Sequence, residues 1–437
     1  MNKKFIAAIA MVALSFMPVM AGGLLTNTNL NASFLRMMAR GASTNIYATY
    51  SNPAGLAFLP HDGLYLSIDN QSVSQTRDVS STFAWDLKSV STREFKGNAS
   101  PPIVPSITIA FKQGDMTFSG LIGVTGGGGK ATFDSGLPMF QSLVTSLLYQ
   151  QSGGLLTPDK YDYEASMSGS QYIFGGQFGI TYKVADYLSV YGGGRMNFFQ
   201  GNQTGNVAAS MLLPDGSTKD LIRLGLDVDQ TGWGITPIIG AHFRYGKFNV
   251  GLKYEFTTNL NLENKENSPL VGNDTGLLDS YKDGVNTPND IPGILSIGGS
   301  YDILPNLHFN LGYNYYLDKD AGMAGGKQKY LTHGTYEWLT GVEWETTDRL
   351  TLSVGYQDTN YGLSDDYQQD TSFSCDSYSV GFGARIKMNN MVAFNISYMF
   401  SNYEDYTAEK TYAAGVTTSN TFSRTNKVFG FGVEFSF

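Results

Sequence analysis

Leu307-His308-Phe309-Asn310-Leu311-Gly312-Tyr313-Asn314-Tyr315-Tyr316-Leu317 decides the fold. Leu307, Phe309, Leu311, Tyr313, Tyr315 and Leu317 fall on one face, and His308, Asn310, Gly312, Asn314 and Tyr316 on the other. Strict alternation is the two-residue period of a strand with two unlike faces. One such run would suit a soluble sheet, but this one recurs. Phe248, Val250, Leu252, Tyr254 and Phe256 alternate with Asn249, Gly251, Lys253 and Glu255. Tyr336, Trp338, Val342 and Trp344 alternate with Glu337, Gly341, Glu343 and Glu345. The same pattern returns at Leu350, Leu352, Val354 and Tyr356, and at Val392, Phe394, Ile396, Tyr398 and Phe400.

The connections alternate too. Very short turns occur at Lys112–Asp115, Val184–Asp186, Gly246, Leu304–Asn306, Thr347–Arg349 and Met388–Asn390. Between them come longer polar loops, near 80–100, 125–168, 201–228, 258–291, 319–334, 361–375 and 403–420. Short turns at one end and long loops at the other mark a barrel of the bacterial outer membrane. Counting the runs predicts an all-β fold: a transmembrane antiparallel β-barrel of about 14 strands, an even number as such barrels have. The chain closes on Phe429, Phe431, Val433, Phe435 and Phe437, with Gly430, Gly432, Glu434 and Ser436 between them. An alternating last strand ending on phenylalanine resembles the signal read by the barrel-assembly machinery, which would be a partner during insertion.

Composition agrees. Glycine (51), tyrosine (27) and phenylalanine (27) are abundant, as aromatic girdles require, and no later stretch is apolar over the ~18 residues a membrane helix needs. Lys3-Lys4, an apolar run from Phe5 to Met20 and the small residue Ala21 read as a signal peptide over 1–21, so the product is exported to the Gram-negative outer membrane, among its lipids. Without Lys3 and Lys4 the chain has 27 basic and 38 acidic residues, a formal charge of −11. That excess argues against nucleic acid as a partner. Cys375 is the single cysteine and has no internal disulfide partner.

Two segments break the strand pattern. Gly41 to Pro60 reads GASTNIYATYSNPAGLAFLP. Asn52-Pro53 starts a turn, because proline holds the residue before it out of the helical region. Ala54-Gly55 permits close backbone approach, and Leu56, Phe58 and Leu59 need burial. It is either an ordinary turn or part of a plug, spanning 22–62, inside the barrel of 63–437. In Leu137–Gln150, Phe140, Leu143, Val144, Leu147 and Leu148 recur at helical spacing behind Pro138. Such a stripe on an outer loop either packs on another loop or forms one wall of a groove that binds a hydrophobic ligand.

A signal peptide, Asn52-Pro53-Ala54, the stretch Phe34-Leu35-Arg36-Met37-Met38-Ala39-Arg40-Gly41-Ala42 and the strand–turn–strand repeats resemble the outer-membrane long-chain fatty acid transporter family, the FadL/TodX-like proteins. The resemblance implies a monomeric barrel closed by an N-terminal hatch, passive uptake of a hydrophobic molecule caught among the loops, hatch movement, and lateral exit through a kinked third strand. On this count the third strand runs from Asp115 to Val124, before Gly126, Gly127, Gly128 and Gly129. Glycines weaken strand pairing, so the run is either the wall opening or the start of a flexible loop. A fatty acid carboxylate would want a cation. Arg36 and Arg40 in the hatch and Arg195 and Arg244 on strands are candidates, unless they pair with Glu255 or Glu343.

Enzyme chemistry finds no foothold. His61, His242, His308 and His333 are scattered without metal-ligand spacing. Gly129-Lys130 lacks the rest of a phosphate loop, and Asp318-x-Asp320 reads as a solvated turn. No cofactor is expected. The alternative to transport is a non-transporting barrel whose long loops act as an adhesin or surface antigen. A general porin fits less well, since porins are not sealed by an N-terminal plug.

Overall fold

The computed structural model describes residues 30–86, 89–412 and 415–437. The expected signal peptide (1–21) and the first hatch residues (22–29) lie outside the described residues.

Fourteen antiparallel wall strands close into a barrel. They are β1 (Gly63–Asp86), β2 in two pieces (Ser89–Ala99 and Val104–Gln113), β3 (Met116–Phe133), β4 (Asp162–Ala185), β5 (Leu188–Leu212), β6 (Thr218–Tyr245) and β7 in two pieces (Phe248–Glu255 and Asn261–Glu266). Then come β8 in two pieces (Asn286–Pro288 and Ile294–Leu304), β9 (Leu307–Tyr316), β10 (Tyr336–Glu345), β11 (Leu350–Asn360) and β12 (Ser377–Lys387). The last are β13 in two pieces (Val392–Tyr403 and Tyr406–Thr411) and β14 (Thr417–Ser436). Closure joins the first strand to the last, in register from Tyr65 opposite Ser436 to Ala84 opposite Thr417. The closed ring of strands satisfies the backbone between neighbours, the condition for carrying strands through lipid.

The two faces are the reverse of a soluble barrel's. Outward positions hold large apolar side chains in the open, among them Ile122 at 70%, Phe178 at 62% and Trp233 at 61% exposure. Inward positions are polar and buried: Ser67 and Gln71 on β1, Thr108 on β2, Gln177 and Thr181 on β4, Asn197 on β5, Asn395 on β13. An apolar outer belt of this extent is stable only against hydrocarbon.

Several strands run further than expected. Residues near 80–100 and 201–228 read as loops, yet β1, β2, β5 and β6 continue through most of them. There the outer face is polar, with Thr92, Glu94, Lys96, Asn202, Thr204 and Asn206, while Phe83, Phe95, Val207, Leu224 and Val228 turn inward into a buried cluster. Wall standing above the membrane meets water on its outer face and loses the hydrophobic alternation that betrays a strand. The glycine run also lies inside β3 rather than after it.

Inside the barrel, residues 30–62 cross the lumen toward the end with the short turns. Helix α1 (Ala32–Arg36) is capped by Asn31, whose side chain accepts the Phe34 N–H. Helix α2 (Ala48–Ser51) leads into a 3₁₀ turn over Pro53–Phe58, with Pro53 at its first position. The outer-loop helix α3 spans Pro138–Gln151, close to the expected limits.

Candidate functional site

The hatch is seated by charge. Arg36 and Arg40 share the two oxygens of Glu343 on β10, at 2.6 and 2.8 Å. Three strands away around the wall, Glu255 of β7 accepts from Arg195 of β5 at 2.9 Å and from Lys253 at 2.6 Å. Both of those cations also lie over the Tyr50 ring of the hatch, at 4.9 and 5.1 Å. Three of the four arginines proposed for a ligand carboxylate therefore face wall carboxylates. The fourth, Arg244, is exposed at the short-turn end, 5.9 Å from the Phe58 ring.

Hydrogen bonds to the hatch backbone complete the seat. Gln177 donates to the Thr49 carbonyl at 2.7 Å, Thr181 to Pro53 at 2.8 Å, Ser189 to Ala54 at 2.6 Å and Lys112 to Leu59 at 2.6 Å. Asn52 shows why an Asn-Pro-Ala turn suits this place. Its amide donates to the carbonyls of Gly41 in the hatch (3.3 Å) and Ala241 in β6 (3.1 Å). Pro53 and Ala54 are buried, their carbonyls taken by the wall. Wall glycines give the hatch room: a β-carbon at Gly251 would strike Gly41 and Asn52, one at Gly298 would strike Gly41, and one at Gly381 would strike the Leu35 carbonyl. His242 is buried, its ring 5.2 Å from the Phe58 ring of the hatch.

Above the hatch the wall ladder is broken beside β3. β3 pairs with the second piece of β2 up to Gly123 opposite Ser106, and with the first piece only at Thr132 opposite Asn98. Among the described residues, 124–131 of β3 have no ladder partner on that side. The chain facing them carries Pro101, Pro102 and Pro105, and a proline has no N–H to give a ladder. On its other side β3 is bulged. Five steps from Val124 to Gly129 oppose three from Phe174 to Gln171, so β3 carries two extra residues. Gly127 and Gly129 take φ of +110° and +69°, conformations that glycine adopts freely. A cavity of about 100 Å³ lies against this irregularity, lined by Val73, Pro101, Val104, Val124, Gly126, Gly127, Gly128 and Gly129 among others.

The loop helix covers this region. Phe140, Leu143, Val144 and Leu148 are buried, and Leu147 packs against the same cluster. The cluster is built from Val79 and Phe83 of β1, Phe95 of β2, Phe133 of β3, Tyr281, Phe373 and Phe422 of β14. Helix α3 is tied down by Asp370, which accepts the Met139 N–H at 2.7 Å and the Asn420 amide at 3.0 Å. Burial pushes the Asp370 carboxyl up from 3.8 to about 6. Leu137, the residue before the helix, lines a second cavity of about 50 Å³ with Phe133, Met167 and Phe373.

Two functional candidates were not visible in the sequence. Arg77 of β1 and Arg424 of β14 stand directly opposite each other in the wall and both line the larger cavity. The glycine run serves one of them, for a β-carbon at Gly128 would strike the Arg77 guanidinium. No signal in the local sequence joins residues 77 and 424. Asp318, expected in a solvated turn, is instead buried and accepts the Thr335 N–H at 2.7 Å. Among the described residues, no three His, Cys, Asp or Glu side chains gather to hold a metal.

No protein-family model matches the sequence, and no curated protein matches it. Solved structures do match the fold. A Pseudomonas aeruginosa FadL homologue aligns with a TM-score of 0.68 at 13% identity, covering 95% of this chain and 99% of that one. The Ralstonia pickettii toluene transporter TbuX aligns at 0.55 and 15% identity, covering 93% and 98%. The Pseudomonas putida toluene transporter TodX aligns at 0.52 and 15% identity, covering 90% and 95%. The chain thus has the barrel fold of the FadL/TodX-like channels, as the resemblance in its hatch and strand repeats implied.

Proposed function

We propose that this protein carries hydrophobic molecules passively across the outer membrane, with a long-chain fatty acid as the default cargo. The observation that carries the reading is the broken wall ladder at 124–131 of β3, beside a cavity and above a seated hatch. A water-filled lumen would serve a polar solute. An apolar chain gains about 0.8 kcal/mol for each methylene withdrawn from water, so it favours a route through the loop core and into lipid. The residues Phe140, Leu143, Val144, Leu147 and Leu148 would receive it by parting the cluster they close. Gly126, Gly127, Gly128 and Gly129 would let it out sideways. The hatch, with Asn52, Pro53 and Ala54 at its turn and Arg36 and Arg40 at its anchor, would shift without an energy source.

The similar channels described as toluene transporters support an apolar cargo. The test is lipid mass spectrometry on protein purified in a short-chain detergent, beside a variant with Phe140, Leu143 and Leu147 changed to polar residues. A co-purified lipophile lost in the variant is the expected result. Nothing bound to a folded wild-type barrel would move the weight to the adhesin reading.

A further inference from the structure

Every buried cation at the hatch has a carboxylate, but the pair above it does not. Arg77 and Arg424 are in direct register across β1 and β14, where like charges repel. Arg424 is 8% exposed, and the Nε atoms of both are buried with no hydrogen-bond partner. Among the described residues neither forms an ion pair. The titratable groups acting on the two arginines, besides each other, are Tyr361, Tyr403 and Cys375, with Arg424 lying 4.8 Å over the Tyr403 ring. A buried cation left without an anion is costly, and two facing each other are more so. Gly128 nonetheless leaves the space in which one of them sits.

We infer that Arg77 and Arg424 form the head-group site for an anionic amphiphile, the two guanidinium forks holding a carboxylate or phosphate while its apolar chain lies in the adjoining cavities. The fork geometry matches both anions. Val73, Val104, Val124 and Val428 line the same cavity as the arginines. The second cavity shares Arg77, Gly128 and Gly129 with it and continues along Phe133 and Leu137 under the loop helix. Both cavities mix polar and apolar lining, with Gln171, Gln203 and Asp370 also on the second, and Arg77 stands where they join. The inference rests on the uptake reading for the tail and adds to it a selection for charge, which a hydrocarbon such as toluene would not use.

The test titrates dodecanoate, methyl dodecanoate and dodecyl phosphate, all below their micelle concentrations, into the purified wild-type barrel. The same titrations are run on Arg77→Gln/Arg424→Gln and Arg77→Lys/Arg424→Lys. The acid should bind wild type more tightly than its ester. The Gln double variant should lose about 10- to 100-fold for the acid alone, as expected for charge-assisted bonds, and the Lys variant should fall between. Its unfolding temperature should hold or rise, since the Gln change removes a buried repulsion. Arginine-dependent binding that is tighter for the phosphate assigns the site to lipid phosphate, and the reverse assigns it to a fatty carboxylate. Equal affinity for acid and ester, or acid binding that survives the Gln change, overturns the head-group site and leaves uptake standing. Failure of acid and ester alike overturns the uptake reading with it.

Discussion

The lower and upper halves of the lumen treat buried charge in opposite ways. Below, Arg36, Arg40, Arg195 and Lys253 are each within 3 Å of Glu343 or Glu255, two carboxylates three strands apart that anchor the hatch and the wall beside it. Above, Arg77 and Arg424 face each other with no ion pair to either among the described residues, next to an unpaired stretch of wall. Paired charges hold a position, whereas unpaired ones leave capacity for a ligand. The difference separates a seated region, which must part from its carboxylates in order to move, from one whose cations are left for a ligand in the proposal above.

The sharpest way to break this contrast is at the shared carboxylate. Glu343→Gln leaves Arg36 and Arg40 buried without an anion, which should cost about 3–5 kcal/mol of hatch seating. Hydrogen exchange of 30–62 should accelerate and single-channel conductance should appear in planar bilayers. An unchanged hatch would mean that the hydrogen bonds alone hold it.

The next effect lies above the hatch. The Asp370 carboxyl is held at about 6 against an ordinary 3.8 by burial under helix α3. A raised carboxyl pKa favours the protonated form in the docked state, so docking is firmest below about pH 4. It should weaken as pH rises from about 4 to about 6, by at most about 3 kcal/mol, and stay level above that. Exchange protection of 138–151, corrected for intrinsic rate, should fall over that window, and Asp370→Asn should abolish the change. Protection that rises with pH would reverse the assignment. Smaller again is Gly381→Ala, whose β-carbon would strike the Leu35 carbonyl. Overpacking of that kind costs about 1–3 kcal/mol, read as a lower unfolding temperature and faster hatch exchange. Smallest is Arg77→Gln/Arg424→Gln, for which unfolding temperature should hold or rise while Glu343→Gln lowers it. A fall comparable to that of Glu343→Gln would erase the distinction between the two halves.

The strands were legible because lipid on one side and polar lumen on the other force a two-residue period, as in Leu307–Leu317. The apolar stripe of Phe140 to Leu148 was legible for the same reason, at helical period. Where water meets the outer face, as in the upper parts of β5 and β6, the inward Val207, Ala209, Leu224 and Val228 are set among small and polar residues, and the strands read as loop. The role of Gly251 or Gly381 was hidden because it depends on which hatch atom lies opposite. Arg77 and Arg424 were hidden most deeply, since barrel closure alone brings the first and last strands together. The glycine run shows the middle case: its weakness for pairing could be read locally, its service to Arg77 could not.

On the proposed route cargo leaves through the wall at the bulged strand. Deleting Gly127 and Gly128 removes the two extra residues of β3 and restores one-to-one register with β4. Uptake of radiolabelled hexadecanoate would be measured in cells carrying wild type or this deletion, with resistance of the barrel to unfolding in detergent as the control for assembly. The expected result is a folded barrel whose uptake falls to the level of cells without it. Uptake at the wild-type rate from a folded, straightened barrel would contradict it and place the exit elsewhere.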